Sequence, residues 1–228
     1  LAVIFNWISY IKNILNRCSK MKLHYFPFYG RAEPIRLLLN HANIPYEEVV
    51  IKMDEWPELK TQNDKYEYGQ LPVLEKDEKI YSQAIAILRM LGKENGYFPE
   101  DPEQLYKVDK LLELMVDFCT PIFKLQHIHD EEERKNTFED LLKNHYPKFF
   151  GYWEKELKEN SSQETLVGDK VTIADFVYLA VYGSFINHGE AKEHMLKVLG
   201  EFSTLKSYFE KRWEAQKEYF DNRPNYSY

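Results

Sequence analysis

Strand signals in this chain stop at Phe98–Pro102. Between Met21 and Phe98, short runs of alternating or β-branched apolar residues are interleaved with helical stretches. Beyond Asp101 only helical periodicity remains, and Pro99 and Pro102 punctuate the change. A chain divided in this way folds as a small α/β domain followed by an all-α domain. The expected limits are 21–99 for the first and 102–228 for the second. Residues 1–20 form a leader or an extension outside the functional domain.

Within the first domain the signals run strand, helix, strand, irregular segment, two strands, helix. Leu23 and Tyr25 alternate with Lys22 and His24, giving a strand. Gly30 closes a loop, and Pro34, Ile35, Leu38 and Leu39 open an apolar helix whose first turn tolerates proline. Tyr46–Ile51 follows the Ile44-Pro45 break as a second strand, and Met53–Lys65 reads as polar and irregular. Gln70–Leu74 and Lys79–Tyr81 flank Asp77 as a hairpin, and Gln83–Leu91 is an apolar helix. Tyr25 thus sits where a strand hands over to a helix N-terminus, a place that favours negative charge. The stretch on its own fits a core aromatic with a satisfied hydroxyl better than it fits a hydrogen-bond donor to an anion.

In the second domain, Leu105, Val108, Leu111, Leu112, Met115, Val116 and Cys119 form one stripe that ends or kinks at Thr120-Pro121. A second helix fits Asp130–Leu157, with Phe138, Leu141, Leu142, Phe149 and Trp153 inward and a kink at Pro147. Thr172 and Asp175 have capping-box spacing ahead of the apolar run Phe176–Val181. Two shorter helices follow, near Ala191–Leu199 and Phe202–Trp213.

Composition narrows the function. The net charge is −7, and residues 1–20 carry +3 through Lys12, Arg17 and Lys20, so the rest of the chain carries −10. Such a body repels phosphate backbones, which argues against nucleic acid as a partner. Cys18 and Cys119 form neither a disulfide framework nor a zinc-ligand spacing, and His127 and His129 do not share a helix face, so no metal is expected. Cysteine usage of this kind suits a reducing, cytoplasmic compartment. The apolar part of residues 1–20 is too short to span a bilayer, so stable membrane insertion is not expected.

Five pieces in order then carry a family resemblance: Y-F-x-x-x-G-R-A-E-P-I-R (Tyr25 to Arg36), W-P-x-L-K (Trp56 to Lys60), G-Q-L-P-V-L (Gly69 to Leu74), Q-x-x-A-I-L-R-x-L (Gln83 to Leu91) and V-T-I-A-D-F (Val171 to Phe176). Together they resemble cytosolic glutathione S-transferases of the sigma class, over roughly residues 21–228. The resemblance implies a thioredoxin-like N-terminal domain (βαβ-ββα), an all-α C-terminal domain and a homodimer. It also implies the site. Tyr25 would donate a hydroxyl hydrogen bond to the glutathione sulfur, and Arg31 would favour the anionic form. Trp56 and Lys60 would grip the glycine end. Pro72, held cis, would expose the Leu71 backbone to the cysteinyl unit, with Gln70 beside it. Gln83 and Ala84 would face the γ-glutamyl carboxylate from a helix N-terminus, and Asp117 would reach across the dimer to the γ-glutamyl ammonium. Ala84 departs from the family pattern, which has Ser or Thr there, and Ser82 comes one residue too early to replace it.

The implied activity is conjugation of the glutathione thiolate to small hydrophobic electrophiles in detoxification, with glutathione as co-substrate and no other cofactor. The electrophile would sit near Phe28 and the helices after Asp101. Two alternatives stand beside it. One is a glutathione-dependent isomerase or peroxidase of the same class, against which Lys124 replaces a pocket aromatic. The other is a non-catalytic, crystallin-like binding protein, mildly favoured by Ala84. A dithiol oxidoreductase is disfavoured, because Tyr25-Phe26-Pro27-Phe28 brings no cysteine to the turn.

Overall fold

In the computed structural model, residues 21–125, 127–189 and 191–226 are described. The expectation of a leader or extension at residues 1–20 lies outside them. The chain divides into two units, one ending at Ile87 and the other beginning at Leu88.

The first unit is built on a four-stranded sheet of β1 (Lys22–Tyr25), β2 (Glu47–Val50), β3 (Val73–Lys76) and β4 (Lys79–Ser82), in the order β2-β1-β3-β4. β1 pairs parallel with β2 through the crossover helix α1 (Glu33–His41), and antiparallel with β3, which continues into β4 as a hairpin. A parallel pair needs such a crossover, whereas an antiparallel one needs only a turn. Asp77 and Glu78 make that turn at positive φ. This is the thioredoxin-like arrangement of strands and helices. Its core is Leu23, Ile35, Leu38, Leu39, Val73, Leu74 and Ile87, all close to fully buried.

Three details differ from the sequence reading. The alternation of Leu23 and Tyr25 with Lys22 and His24 suggests a half-buried strand, but β1 is buried on both faces and His24 is 1% exposed. β1 is an inner strand, and the partners that neutralise His24 lie far away in sequence. The segment expected to be irregular contains a short helix, α2 (Trp56–Leu59), with Pro57 in its first turn. The hairpin begins only at Val73, because Leu71 and Pro72 form a cis peptide and leave the ladder.

Helix α3 (Ala84–Glu94) follows β4 and leads into the helical unit, which comprises α4 (Pro102–Leu125), α5 (Glu131–Asp140), α6 (Tyr146–Glu159), α7 (Ile173–Val181), α8 (Lys192–Leu199), α9 (Ser203–Ala215) and α10 (Lys217–Asn222). Pro121 does not end α4, which runs on to Leu125. The ring removes the bond that residue 121 would donate to the Asp117 carbonyl. Thr120 turns its hydroxyl back onto Val116 O at 2.7 Å, and Phe118 and Ile122 remain buried on the inner face.

The single helix expected over Asp130–Leu157 is two, α5 and α6, joined by a π-helical turn at Leu141–His145, with Pro147 in the first turn of α6. Asp130 caps α5 by accepting from Glu133 N at 2.7 Å. The core of this unit is aromatic. Trp153 is fully buried, with Phe118, Tyr178 and Phe150 at ring-centroid distances of 4.7, 4.9 and 5.5 Å. The capping box forms as spaced: the Asp175 carboxylate accepts from Thr172 N (2.7 Å) and Thr172 Oγ1 (3.0 Å), and also from Leu166 N (3.0 Å) and Tyr208 Oη (2.8 Å). The short helix α10 had no signal in the sequence reading.

Candidate active site

Tyr25 is the last residue of β1, and its ring is 8% exposed. Its hydroxyl oxygen accepts the backbone N–H of Arg31 at 3.0 Å, from the first turn of the 3₁₀ segment Gly30–Ala32. Gly30 makes this approach possible twice over. Its φ of +41° lies in the left-handed region, and a Cβ there would fall 2.6 Å from the Tyr25 hydroxyl. Burial pushes the Tyr25 phenol above its ordinary range, against the Arg31 N–H and the charges of Arg31 and Arg36. At neutral pH the hydroxyl therefore keeps its proton. With its oxygen already accepting from Arg31, that proton can be donated onward.

Arg36 fixes the turn that carries this geometry. Its guanidinium lies 5.6 Å from the Tyr25 ring centroid. It donates to Phe28 O and Tyr29 O at 3.1 Å each, to Glu33 at 3.2 Å and in a fork to Glu48. Arg36 and Glu33 are 4% and 0% exposed, so this is a buried charge held by full hydrogen bonding.

The sheet register gathers the remaining residues of this unit. His24 pairs with Val73, and Val73 with Ser82. Tyr25 ends β1, Pro72 immediately precedes β3 and Gln83 immediately follows β4, so each lies one residue beyond these pairs at the same end of the sheet. Gln83 Nε2 donates to Gln70 Oε1 at 3.1 Å, and Gln83 O accepts from Ile87 N at 2.9 Å, so Gln83, between β4 and α3, supplies the carbonyl that opens the helix. Its φ of 71° is unusual for a residue with a side chain, and backbone of that kind gathers at functional sites. Ala84 is the first residue of α3, and its amide is among those that a helix N-terminus offers to an anion. Ser82 Oγ is buried without a partner, and no hydroxyl stands at position 84.

Trp56 begins α2 half-buried, its indole edge-on to Phe26 (5.6 Å) and Tyr66 (5.2 Å). Lys60 closes the same helix and is exposed. Asp117 lies exposed on α4 in the helical unit. Arg31 presents an exposed side chain beside the tyrosine. Among the described residues, no group of three or more His, Cys, Asp or Glu is placed to hold a metal ion. No helix there is long and apolar enough to cross a membrane.

Two family models match the chain: the N-terminal domain of glutathione S-transferases over residues 21–93, and their C-terminal domain over residues 116–223. A curated relative, glutathione S-transferase 1 of Ascaris suum, is 32% identical over 159 residues, 68% of this chain and 75% of its own length. This chain belongs to the glutathione S-transferase family. Hematopoietic prostaglandin D synthase of Gallus gallus is also similar, 31% identical over 69% of this chain and 75% of its own length. Among solved structures, monomeric Na-GST-3 from Necator americanus superposes with a TM-score of 0.78 at 32% identity, over 92% of this chain and all of that one.

Within the family framework, some residues that shape the site escaped the sequence reading. Arg36 stands in the sequence only as one residue of a motif, yet it pins the turn. His24 and Tyr66 carried no signal, because their side chains meet across 42 residues of chain, with His24 Nδ1 at 3.2 Å from Tyr66 Oη. Only the polar residue on the inner strand hinted at a buried network.

Proposed function

We propose that the protein is a sigma-class glutathione transferase, which conjugates the glutathione thiolate to small hydrophobic electrophiles in cytoplasmic detoxification. The observation that carries this reading is the Tyr25 hydroxyl, kept protonated by burial and held by the Arg31 N–H, with Pro72 and Gln83 at the ends of the neighbouring strands. An ordinary thiol of pKa about 8.5 is only about 3% ionised at pH 7, and lowering it by two units takes about 2.7 kcal/mol. A hydrogen bond from Tyr25 to the thiolate supplies roughly 1.5–3 kcal/mol of that, and the positive Arg31 adds to it. Because a less basic thiolate is also less nucleophilic, orientation of the electrophile provides the remaining acceleration.

In this reading Trp56 and Lys60 donate to the glycyl carboxylate, the Leu71 backbone beside cis Pro72 pairs with the cysteinyl unit, and Gln70, Gln83 and the Ala84 amide receive the γ-glutamyl end. Asp117 serves the γ-glutamyl ammonium of a partner protomer in a homodimer. Glutathione is the co-substrate, and no further cofactor is needed. Calorimetric titration with glutathione, followed by turnover of an electrophile panel, tests the assignment. Failure to bind glutathione would return the chain to a non-catalytic role on the same scaffold.

A second reading is glutathione-dependent isomerisation of a prostaglandin endoperoxide, supported by the resemblance to the Gallus gallus synthase. Lys124 stands where that pocket would want an aromatic and weighs against it. Product analysis with the endoperoxide separates the two.

A further inference from the structure

The sheet also carries a polar network that the proposed reaction does not use. His24 is 1% exposed in the centre of the sheet. Its Nε2 lies 2.8 Å from Glu75 Oε1, a close contact that misses hydrogen-bond alignment, and Glu75 is bridged in turn by Lys65. Its Nδ1 meets Tyr66 Oη at 3.2 Å, and the Tyr66 ring is the edge against which the Trp56 indole rests. The indole also meets Phe26, the neighbour of Tyr25, at a ring-centroid distance of 5.6 Å.

We propose that His24 is a positioning residue for the glycyl end of glutathione, holding the Trp56 indole in place through the hydroxyl and ring of Tyr66. This rests on the glutathione reading of the site given above. With Glu75 beside Nε2, the neutral imidazole carries its proton on that nitrogen and leaves Nδ1 to accept from the Tyr66 hydroxyl. Protonation of the ring turns Nδ1 into a donor. The Tyr66 oxygen must then accept, and its own proton must find a new acceptor next to a residue that is 3% exposed. The tyrosine ring, and the indole edge packed on it, are the parts free to give way.

The groups facing His24 define when this happens. Glu75 comes from β3, Lys65 and Tyr66 from the segment after α2, and Lys22 from its own strand. β2 and β3 place Val49 and Val73 directly beside it. Burial, together with Lys65 and Lys22, holds the imidazole below its ordinary range, against the pull of Glu75, so the ring is neutral at pH 7 and charges on acidification.

The test is calorimetry with S-methylglutathione, whose thioether has no proton to lose, at about pH 7.5 and at a lower pH at which NMR of the imidazole shows the His24 ring charged. The full-length protein should bind it about threefold more weakly at the lower pH, the size of one edge-on aromatic contact. His24→Gln, which cannot charge, should bind equally at both. Tyr66→Phe keeps the ring and loses the hydroxyl. It should bind about threefold more weakly at the higher pH, lose the pH dependence, and raise KM for glutathione while leaving kcat at saturation unchanged. The proposal is overturned if the unaltered protein binds the probe equally at both pH values, or if Tyr66→Phe retains full affinity and the same pH profile. Should His24→Gln fail to fold, Tyr66→Phe alone decides. Absence of probe binding at either pH overturns the glutathione reading as well, and so is distinct from a flat pH profile.

Discussion

The backbone amide of Arg31 donates to the hydroxyl oxygen of Tyr25 at 3.0 Å, so the phenol is oriented by main chain rather than by a side chain that could swing away. Its proton is left for a ligand. Replacing Tyr25 by Phe should leave the fold intact and lower kcat with a generic aryl halide about 10- to 100-fold, the range that loss of one charge-assisted hydrogen bond predicts. Ultraviolet difference spectra of bound glutathione should show the thiolate band moving to higher pH. Unchanged turnover would remove Tyr25 from the mechanism.

Gly30→Ala addresses the same contact from the other side. A Cβ 2.6 Å from the hydroxyl, on a backbone with φ of +41°, forces either the ring or the turn to move. Stability should fall by about 1–3 kcal/mol. Activity should fall further than stability accounts for. Urea unfolding read alongside turnover separates the two effects.

Two groups of the sheet should make stability decrease on acidification, with the same sign, while Asp175 of the helical unit, raised by burial, works against the lower of the two. Folding lowers the His24 pKa from its ordinary 6.5, chiefly by burial, so the unfolded chain binds more protons between the folded value and 6.5. That contribution is complete above 6.5 and is lost as pH falls below it. Glu75 is lowered from 4.5, chiefly by its hydrogen bond with Lys65, and its contribution disappears as pH falls below that value. Urea midpoints measured from pH 7 downward should drop in both windows. His24→Gln should abolish the upper one only.

Asp175→Ala should be severe in the helical unit. Burial pushes this carboxyl above the usual range, while four donors pull it back, and its removal strands the amides of Leu166 and Thr172 and the hydroxyl of Tyr208. A loss of about 3 kcal/mol or more follows. Chemical unfolding followed by circular dichroism checks it. A loss below about 1 kcal/mol would mean that water replaces the carboxylate there.

Ala84→Ser supplies the hydroxyl that the family pattern has and this chain lacks. Placed at the start of α3, it should tighten glutathione binding about fivefold, the equivalent of one added hydrogen bond near 1 kcal/mol. Calorimetry against the unaltered protein reads the difference directly. No gain would show that the γ-glutamyl end does not sit there.

The first strand and helix were legible because Lys22–Leu39 carries its own punctuation, and Thr172 with Asp175 because both halves of a cap lie within one turn. Features set by distant partners were not. Pro121 reads as a stop, yet buried Phe118 and Ile122 on either side of it hold α4 together past the lost hydrogen bond. Pro147 reads as a kink, but the irregularity falls in the turn before it, at Leu141–His145. At the site, Tyr25 and Gly30 could be named from their motif. The Gln70–Gln83 contact and the His24–Tyr66–Trp56 chain exist only after the sheet has brought the segments together.

Arg36 grips two carboxylates and the carbonyls of Phe28 and Tyr29 from within the protein. The turn after β1 cannot loosen by degrees, since any shift abandons a sequestered cation. Whatever docks beside Tyr25 therefore meets a surface already frozen into shape, and none of its binding energy is diverted to setting that turn.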